Sequence, residues 1–253
     1  MRTLRLALCT LALTLSLLAH SAPAQAEDII VSAAASLTNA LTSAKTSFEA
    51  AHPGVRVVTN YGASGALLKQ MESGAPVDVF ASADQKTMDQ AVAKALVNPA
   101  TRKNFVRNGL VLIVPADSKL ALKSERDLAA PGVARIALGN PETVPAGRYT
   151  QESLTAAGLW EPLKPKFIMG NNVRQVLDYV LRGEVDAAFV FSTDAMQAGP
   201  KVRVVREMFT TTPALYPIAV STGSKSPAAK AFVDYLLGAE GQRILGGFGF
   251  QKP

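Results

Sequence analysis

The sequence predicts an α/β protein built as two lobes. Three observations carry this. β-rich apolar segments alternate with segments of helical period. The 227 residues that follow Ala26 are enough for two cores. Two extended segments that each carry a proline, Leu110 to Pro115 and Thr211 to Val220, read as passages of the chain from one lobe to the other and back.

The first strand is expected over Ile29 to Ala33. It leads into a helix whose apolar side is Leu37, Leu41, Ala44, Phe48 and Ala51, the spacing of one helical face. Val55 to Tyr61 and Ser64 to Ser73 are the next strand and helix, and Val77 to Ala81 with Asp84 to Leu96 repeat the alternation. The middle of the chain supplies strands over Leu110 to Val114, Ala134 to Gly139, Lys166 to Met169 and Asp186 to Phe191. Its helices are Ala146 to Ala157 and a segment with Val173, Val176, Leu177, Val180 and Leu181 on one face. A last strand over Leu215 to Val220 precedes helices over Pro227 to Leu237 and Glu240 to Gly246. The expected division is 27–109 with 215–253 as one lobe and 110–214 as the other. No internal repeat or low-complexity stretch is visible.

Residues 1–26 have the three parts of a cleavable export signal: Arg2 and Arg5, an apolar run from Leu6 to Ala19, and Ala24-Gln25-Ala26 as the cleavage site. The uncharged run is shorter than the roughly 20 residues that span a bilayer. Cys9 lies too early for a lipid-modified cysteine, so a soluble periplasmic protein is expected. Without Arg2 and Arg5 the formal net charge falls from +6 to +4, a mild bias that favours an anionic ligand by steering. No run of basic residues interleaved with aromatics appears, which argues against a nucleic-acid partner.

Absent residues narrow the chemistry further. The exported chain has no cysteine and one histidine, His52, in an Ala-His-Pro-Gly segment read as a solvated turn. A Ser-His-Asp triad, a cysteine nucleophile and a His/Cys zinc site all lack their usual parts. Tyr61-Gly62-Ala63-Ser64-Gly65 resembles a nucleophile elbow but lacks the second Gly two residues after the Ser. Asp78, Asp84, Asp186 and Asp194 occur singly at segment ends, where capping and turn roles are common.

What remains is a set of helix starts. Ser36, in Ala33-Ala34-Ala35-Ser36-Leu37, follows a strand where a helix N-cap would stand, and Ser64 does the same between Gly62 and Gly65. Pro141-Glu142-Thr143-Val144-Pro145-Ala146-Gly147 leads from a strand into a helix, with an amide free at Ala146. Asn171-Asn172 precedes Val173, whose amide opens another. Taken singly each is an ordinary cap. Converging, they form a site for an anion.

With these segments Gly74-Ala75-Pro76-Val77-Asp78-Val79-Phe80-Ala81-Ser82-Ala83-Asp84 and Gly247-Phe248-Gly249-Phe250 complete a pattern. The chain resembles the periplasmic molybdate-binding proteins of molybdate ABC transporters over essentially all of 28–253. The resemblance implies a type II periplasmic binding protein, with a ligand cleft between two Rossmann-like lobes. It implies hydroxyl and backbone donors from Ser36 and Ser64, backbone amides from Ala146 and Val173, and a further amide from Ala83. The family also has a tyrosine, in Tyr-Gly-Ser-Asp, whose hydroxyl reaches the ligand. Here the stretch is Phe191-Ser192-Thr193-Asp194, so Phe191 occupies that place without the hydroxyl, and Ser192, Thr193 or a water is left to compensate.

The function so implied is capture of molybdate, and of tungstate, by a monomer that hands it to a membrane permease. No catalysis and no cofactor are expected, and molybdenum enters only as its oxyanion. The rival readings are a binding protein of the same fold for sulfate, phosphate or another small anion, and an extracytoplasmic hydrolase using Ser64.

Overall fold

The computed structural model describes residues 27–253, so the expected export signal lies outside the described residues. The apolar strands assort into two five-stranded mixed sheets. In chain order they are β1 (Glu27–Ala34), β2 (Val55–Gly62), β3 (Val79–Ala81), β4 (Lys103–Asn108), β5 (Leu110–Pro115), β6 (Ile136–Gly139), β7 (Phe167–Gly170), β8 (Ala187–Phe191), β9 (Val202–Glu207) and β10 (Ala214–Val220). The first sheet has the order β2-β1-β3-β10-β4 and the second β7-β6-β8-β5-β9. In the first, β1 runs parallel to β2 and β3, with Val31 opposite both Thr59 and Val79, and β10 runs antiparallel to β3 and β4. The second repeats the scheme: β6 is parallel to β7 and β8, and β5 antiparallel to β8 and β9. The chain changes sheet at Gly109 and again over 208–213.

The central strands are covered on both sides, so they read as apolar runs rather than as alternations. Every residue of β8 is buried, and so is every residue of β5 up to Val114. The edge strands β4 and β9 were not expected. Their sequences, Lys-Asn-Phe-Val-Arg-Asn and Val-Arg-Val-Val-Arg-Glu, carry the charges that keep a sheet edge from pairing further, and those charges hide the strand signal.

Helices cover the sheets: α1 (Thr38–Ala51), α2 (Ser64–Glu72), α3 (Gln85–Ala93), α4 (Pro145–Ala156), α5 (Trp160–Leu163), α6 (Val173–Leu181), α7 (Ser192–Ala198), α8 (Pro227–Leu237) and α9 (Ala239–Gly247). The expected faces of α1 and α6 are buried through Leu41, Ala44, Phe48, Val173, Val176, Leu177 and Val180. Their last members are not. Ala51 and Leu181 are the last residues of their helices, and both are exposed. Phe48 is fully buried and packs edgewise on Phe232 at 5.0 Å, a burial that contributes about 2–3 kcal/mol. His52 is a correction: its ring stacks on Phe48 at 4.0 Å and its Nδ1 lies 2.9 Å from the Phe48 carbonyl, so it closes α1 half-buried rather than standing free in a turn. The short α5 and α7 also went unread, α7 because it starts directly from β8 with no intervening loop.

Candidate functional site

The parallel strands of both sheets end at one crevice, the place where open α/β sheets put ligands. β1 runs into a 3-10 turn at Ala35–Leu37 and then α1, β2 into α2, and β3 into α3; from the other sheet β6 leads to α4, β7 to α6 and β8 to α7. Ser36, Ser64, Ala146, Val173 and Phe191 border one small cavity there, together with Ala34, Ala35, Gly62 and Pro145. None of its bordering residues is ionisable. A roomier hollow of about 680 Å³ lies beside Asn104, Gln242 and Arg243, but it is bordered by β4, α8, α9 and the C-terminal Lys252 and Pro253, with no residue of the second sheet or its helices.

Neither serine is the helix cap its position suggested. Ser36 lies inside the 3-10 turn, with no side-chain cap bond there or at the start of α1, and Ser64 is the first residue of α2, whose N-cap is Ala63. Capping would consume the hydroxyls. Instead Ser36 Oγ lies 3.0 Å from the hydroxyl of Tyr216, and Ser64 Oγ accepts the Ala83 N–H at 3.0 Å. That second bond corrects the expectation for Ala83, whose amide is spent on Ser64. Ser64 and Val173 open their helices and Ala146 follows Pro145 at the start of α4, so their N–H groups have no carbonyl partner within the helix. All four residues are nine-tenths or more buried.

Phe191 is 1% exposed, its ring edgewise to Tyr149 at 6.2 Å and Tyr216 at 5.6 Å. Ser192 and Thr193 do not take over its missing hydroxyl. Ser192 Oγ donates to Asn108 Oδ1 at 2.7 Å, Thr193 Oγ1 accepts from Asn108 Nδ2 at 2.8 Å, and neither borders the cavity.

The two sheets' loops meet around the cavity. The Gly65 N–H donates to the Thr143 carbonyl at 3.0 Å. A Cβ on Gly65 would lie 2.8 Å from that oxygen and 2.9 Å from Thr143 Cα, so this glycine makes room for the facing loop. Gly147 packs α4 on β6 in the same manner, with 2.0 Å between a built Cβ and the Gly139 carbonyl oxygen. Gly65→Ala is expected to hold the loops apart and weaken ligand binding about five- to a hundredfold, since overpacking costs about 1–3 kcal/mol. Calorimetry checks it, and because Gly65 is not among the glycines at positive φ, any loss reads the contact with Thr143 and not backbone strain.

Charges stand behind this neutral lining and are paired. Arg148 of α4 puts Nε 2.7 Å from Asp84 Oδ2 and Nη2 2.7 Å from Thr87 Oγ1. Asp84 also caps α3 by accepting the Thr87 N–H at 3.1 Å, so its capping role and the pairing coexist. Arg174 of α6 lies with Nε 2.6 Å from Asp194 Oδ1 and donates from Nη2 to the Ser36 carbonyl at 3.3 Å. Burial pushes the Asp194 carboxyl up to about 6 against the opposing pull of Arg174. Asp78 and Asp186 do not cap their own turns but tie distant segments together, accepting N–H bonds from Ile30 and from Ala134 and Arg135. Tyr216, Asn108, Arg148 and Arg174 carry no sequence signal, because their meaning lies in partners far along the chain.

Comparison with known proteins gives the family. The model of the bacterial extracellular solute-binding protein family matches residues 29–251. The molybdate-binding protein ModA of Escherichia coli is 39% identical over 238 residues, covering 92% of each chain. Among solved structures, the substrate-binding domain of a putative molybdenum ABC transporter from Clostridium difficile is similar at 39% identity and a TM-score of 0.68, over 89% of this chain and 99% of its own. The sulfate-binding protein SubI from Mycobacterium tuberculosis aligns with a TM-score of 0.78 over 89% of this chain and 87% of its own, at 18% identity, a likeness of fold alone.

Proposed function

We propose, since the chain belongs to the bacterial extracellular solute-binding proteins and to their molybdate-binding members, that it captures molybdate in the periplasm and delivers it to the permease of an ABC transporter. Tungstate, of the same shape and charge, is the second ligand. One observation supports this most: helix starts from both sheets converge on a cavity bordered by no ionisable group. Hydroxyls of Ser36 and Ser64 and amides of Ala146 and Val173 are the donors, assisted by the helix N-termini behind them. Such a pocket satisfies a tetrahedral dianion without a counter-cation. Residues 27–109 with 215–253 form one lobe and 110–214 the other, and they close over the anion as a monomer.

The protein acts without catalysis or cofactor. Molybdenum is cargo, carried as its oxyanion. Ser64, hydrogen-bonded to a backbone amide and not to a base, is a donor rather than a nucleophile.

Thermal unfolding with equal concentrations of molybdate, tungstate, sulfate and phosphate tests the reading. A ligand at 100 times its Kd stabilises by about 2.7 kcal/mol, so molybdate and tungstate should raise the unfolding temperature clearly. Stabilisation by sulfate and not by molybdate would overturn it. Phe191→Tyr adds a hydroxyl at the cavity wall and is expected to tighten molybdate binding about tenfold, the value of one hydrogen bond to a charged group at its low end. A titration showing no gain would mean the wall already satisfies that oxygen.

A further inference from the structure

We propose that Tyr216, held by Asn108, is a positioning and specificity-determining residue of the oxyanion site: it fixes the hydroxyl of Ser36 as a donor, so that the site takes only ligand oxygens without hydrogen. The inference rests on the reading above. It goes beyond it in assigning a role to two residues that do not border the cavity.

The direction of each proton follows from the partners. Asn108 Oδ1 receives the Gly109 N–H at 3.0 Å and the Ser192 hydroxyl at 2.7 Å. This orients the amide, and its Nδ2, which can only donate, faces Thr193 Oγ1 at 2.8 Å and the Tyr216 hydroxyl oxygen at 3.2 Å. With that lone pair taken, the single proton of Tyr216 goes to its other neighbour, Ser36 Oγ at 3.0 Å. Burial raises Tyr216 well above its usual range, so the phenol keeps this proton at every physiological pH. Ser36 therefore accepts from Tyr216, and its own proton is free to turn into the cavity it borders.

Ser64 obeys the same rule by other means. Its oxygen accepts the Ala83 N–H at 3.0 Å, which leaves its proton for the ligand. Two hydroxyls that could each donate or accept are thus biased to donate by an incoming hydrogen bond from behind. Against a donor-only wall, hydrogen phosphate brings a P–O–H that finds no acceptor, and an unmade bond at a buried polar group is costly. Molybdate, tungstate and sulfate carry no such hydrogen at neutral pH.

Tyr216→Phe keeps the ring, which packs edgewise on Phe191 and Phe250 at 5.6 Å each, and leaves Asn108 Nδ2 its Thr193 partner. Ser36 then rotates freely and can accept. Calorimetric titrations of wild type, Tyr216→Phe, Ser36→Ala and the double variant with molybdate decide the matter, with sulfate and phosphate as competitors. We expect Tyr216→Phe to lose about tenfold in molybdate affinity on the wild-type background and almost nothing when Ser36 is alanine, the coupling of contacting residues. The preference for molybdate over phosphate should shrink, while that over sulfate holds. An equal loss on both backgrounds would overturn the proposal and make Tyr216 a packing residue. Wild type that does not bind molybdate would instead refute the ligand assignment.

Discussion

Arg148→Ala should weaken molybdate binding about a hundredfold, the largest effect expected of any single change away from the cavity wall. Arg148 stands on the second sheet's α4 and reaches Asp84 and Thr87 on the first sheet's side. The Asp84 side chain is 6% exposed in this arrangement. If the proposed lobes part, water would take over both partners, so the pair is expected to act on the closed form alone. Removing the guanidinium leaves a buried carboxylate with only its capping bonds, a loss of about 3 kcal/mol and hence about two decades in affinity. The unfolding temperature of ligand-free protein, which is free to open, should stay nearly constant. Asp84→Asn with Arg148→Met should bind better than Arg148→Ala. If Arg148→Ala lowers unfolding temperature with and without ligand by the same amount, the pair holds a lobe together rather than a closure.

Val173→Pro should cost ten- to a hundredfold, because it deletes one N–H donor and leaves the helix intact. Position 173 is the first residue of α6, where proline is favoured. Asn172 ahead of it is extended, at φ −160° and ψ 169°, the conformation a following proline requires. A hydrogen bond to an anion contributes about 1.5–3 kcal/mol, which sets the range. Val173 is also 4% exposed, so packing must be separated from hydrogen bonding. Val173→Ala does this, since it trims the side chain and keeps the amide. Equal affinities for the proline and alanine variants would remove Val173 from the donor set.

The contrast between what was legible in the chain and what was not has physical causes. β1, β5 and β8 announce themselves because burial on both faces demands continuous apolar residues. β4 and β9 do not, since the charges each carries on its exposed edge break the apolar run. The junctions holding Ser36, Ser64, Ala146 and Val173 could be found because strand ends and helix starts leave local marks. The job of each serine hydroxyl could not: a cap is the local expectation, and Tyr216, 180 residues beyond Ser36, displaces it. Arg148 and Asp84, 64 residues apart, read separately as a helix charge and a cap. Gly65 shows the same limit, since nothing near it in sequence reveals that Thr143 occupies the space above it.

The central claim is that neutral donors from both lobes enclose one dehydrated oxyanion, and a crystal structure of the protein grown with molybdate tests it most directly. The account predicts molybdenum between the two sheets, with its oxygens within hydrogen-bond distance of the Ser36 and Ser64 hydroxyls and the Ala146 and Val173 amides, and no Lys or Arg in contact. Molybdate seated elsewhere, or clasped by Arg148 or Arg174, would contradict it.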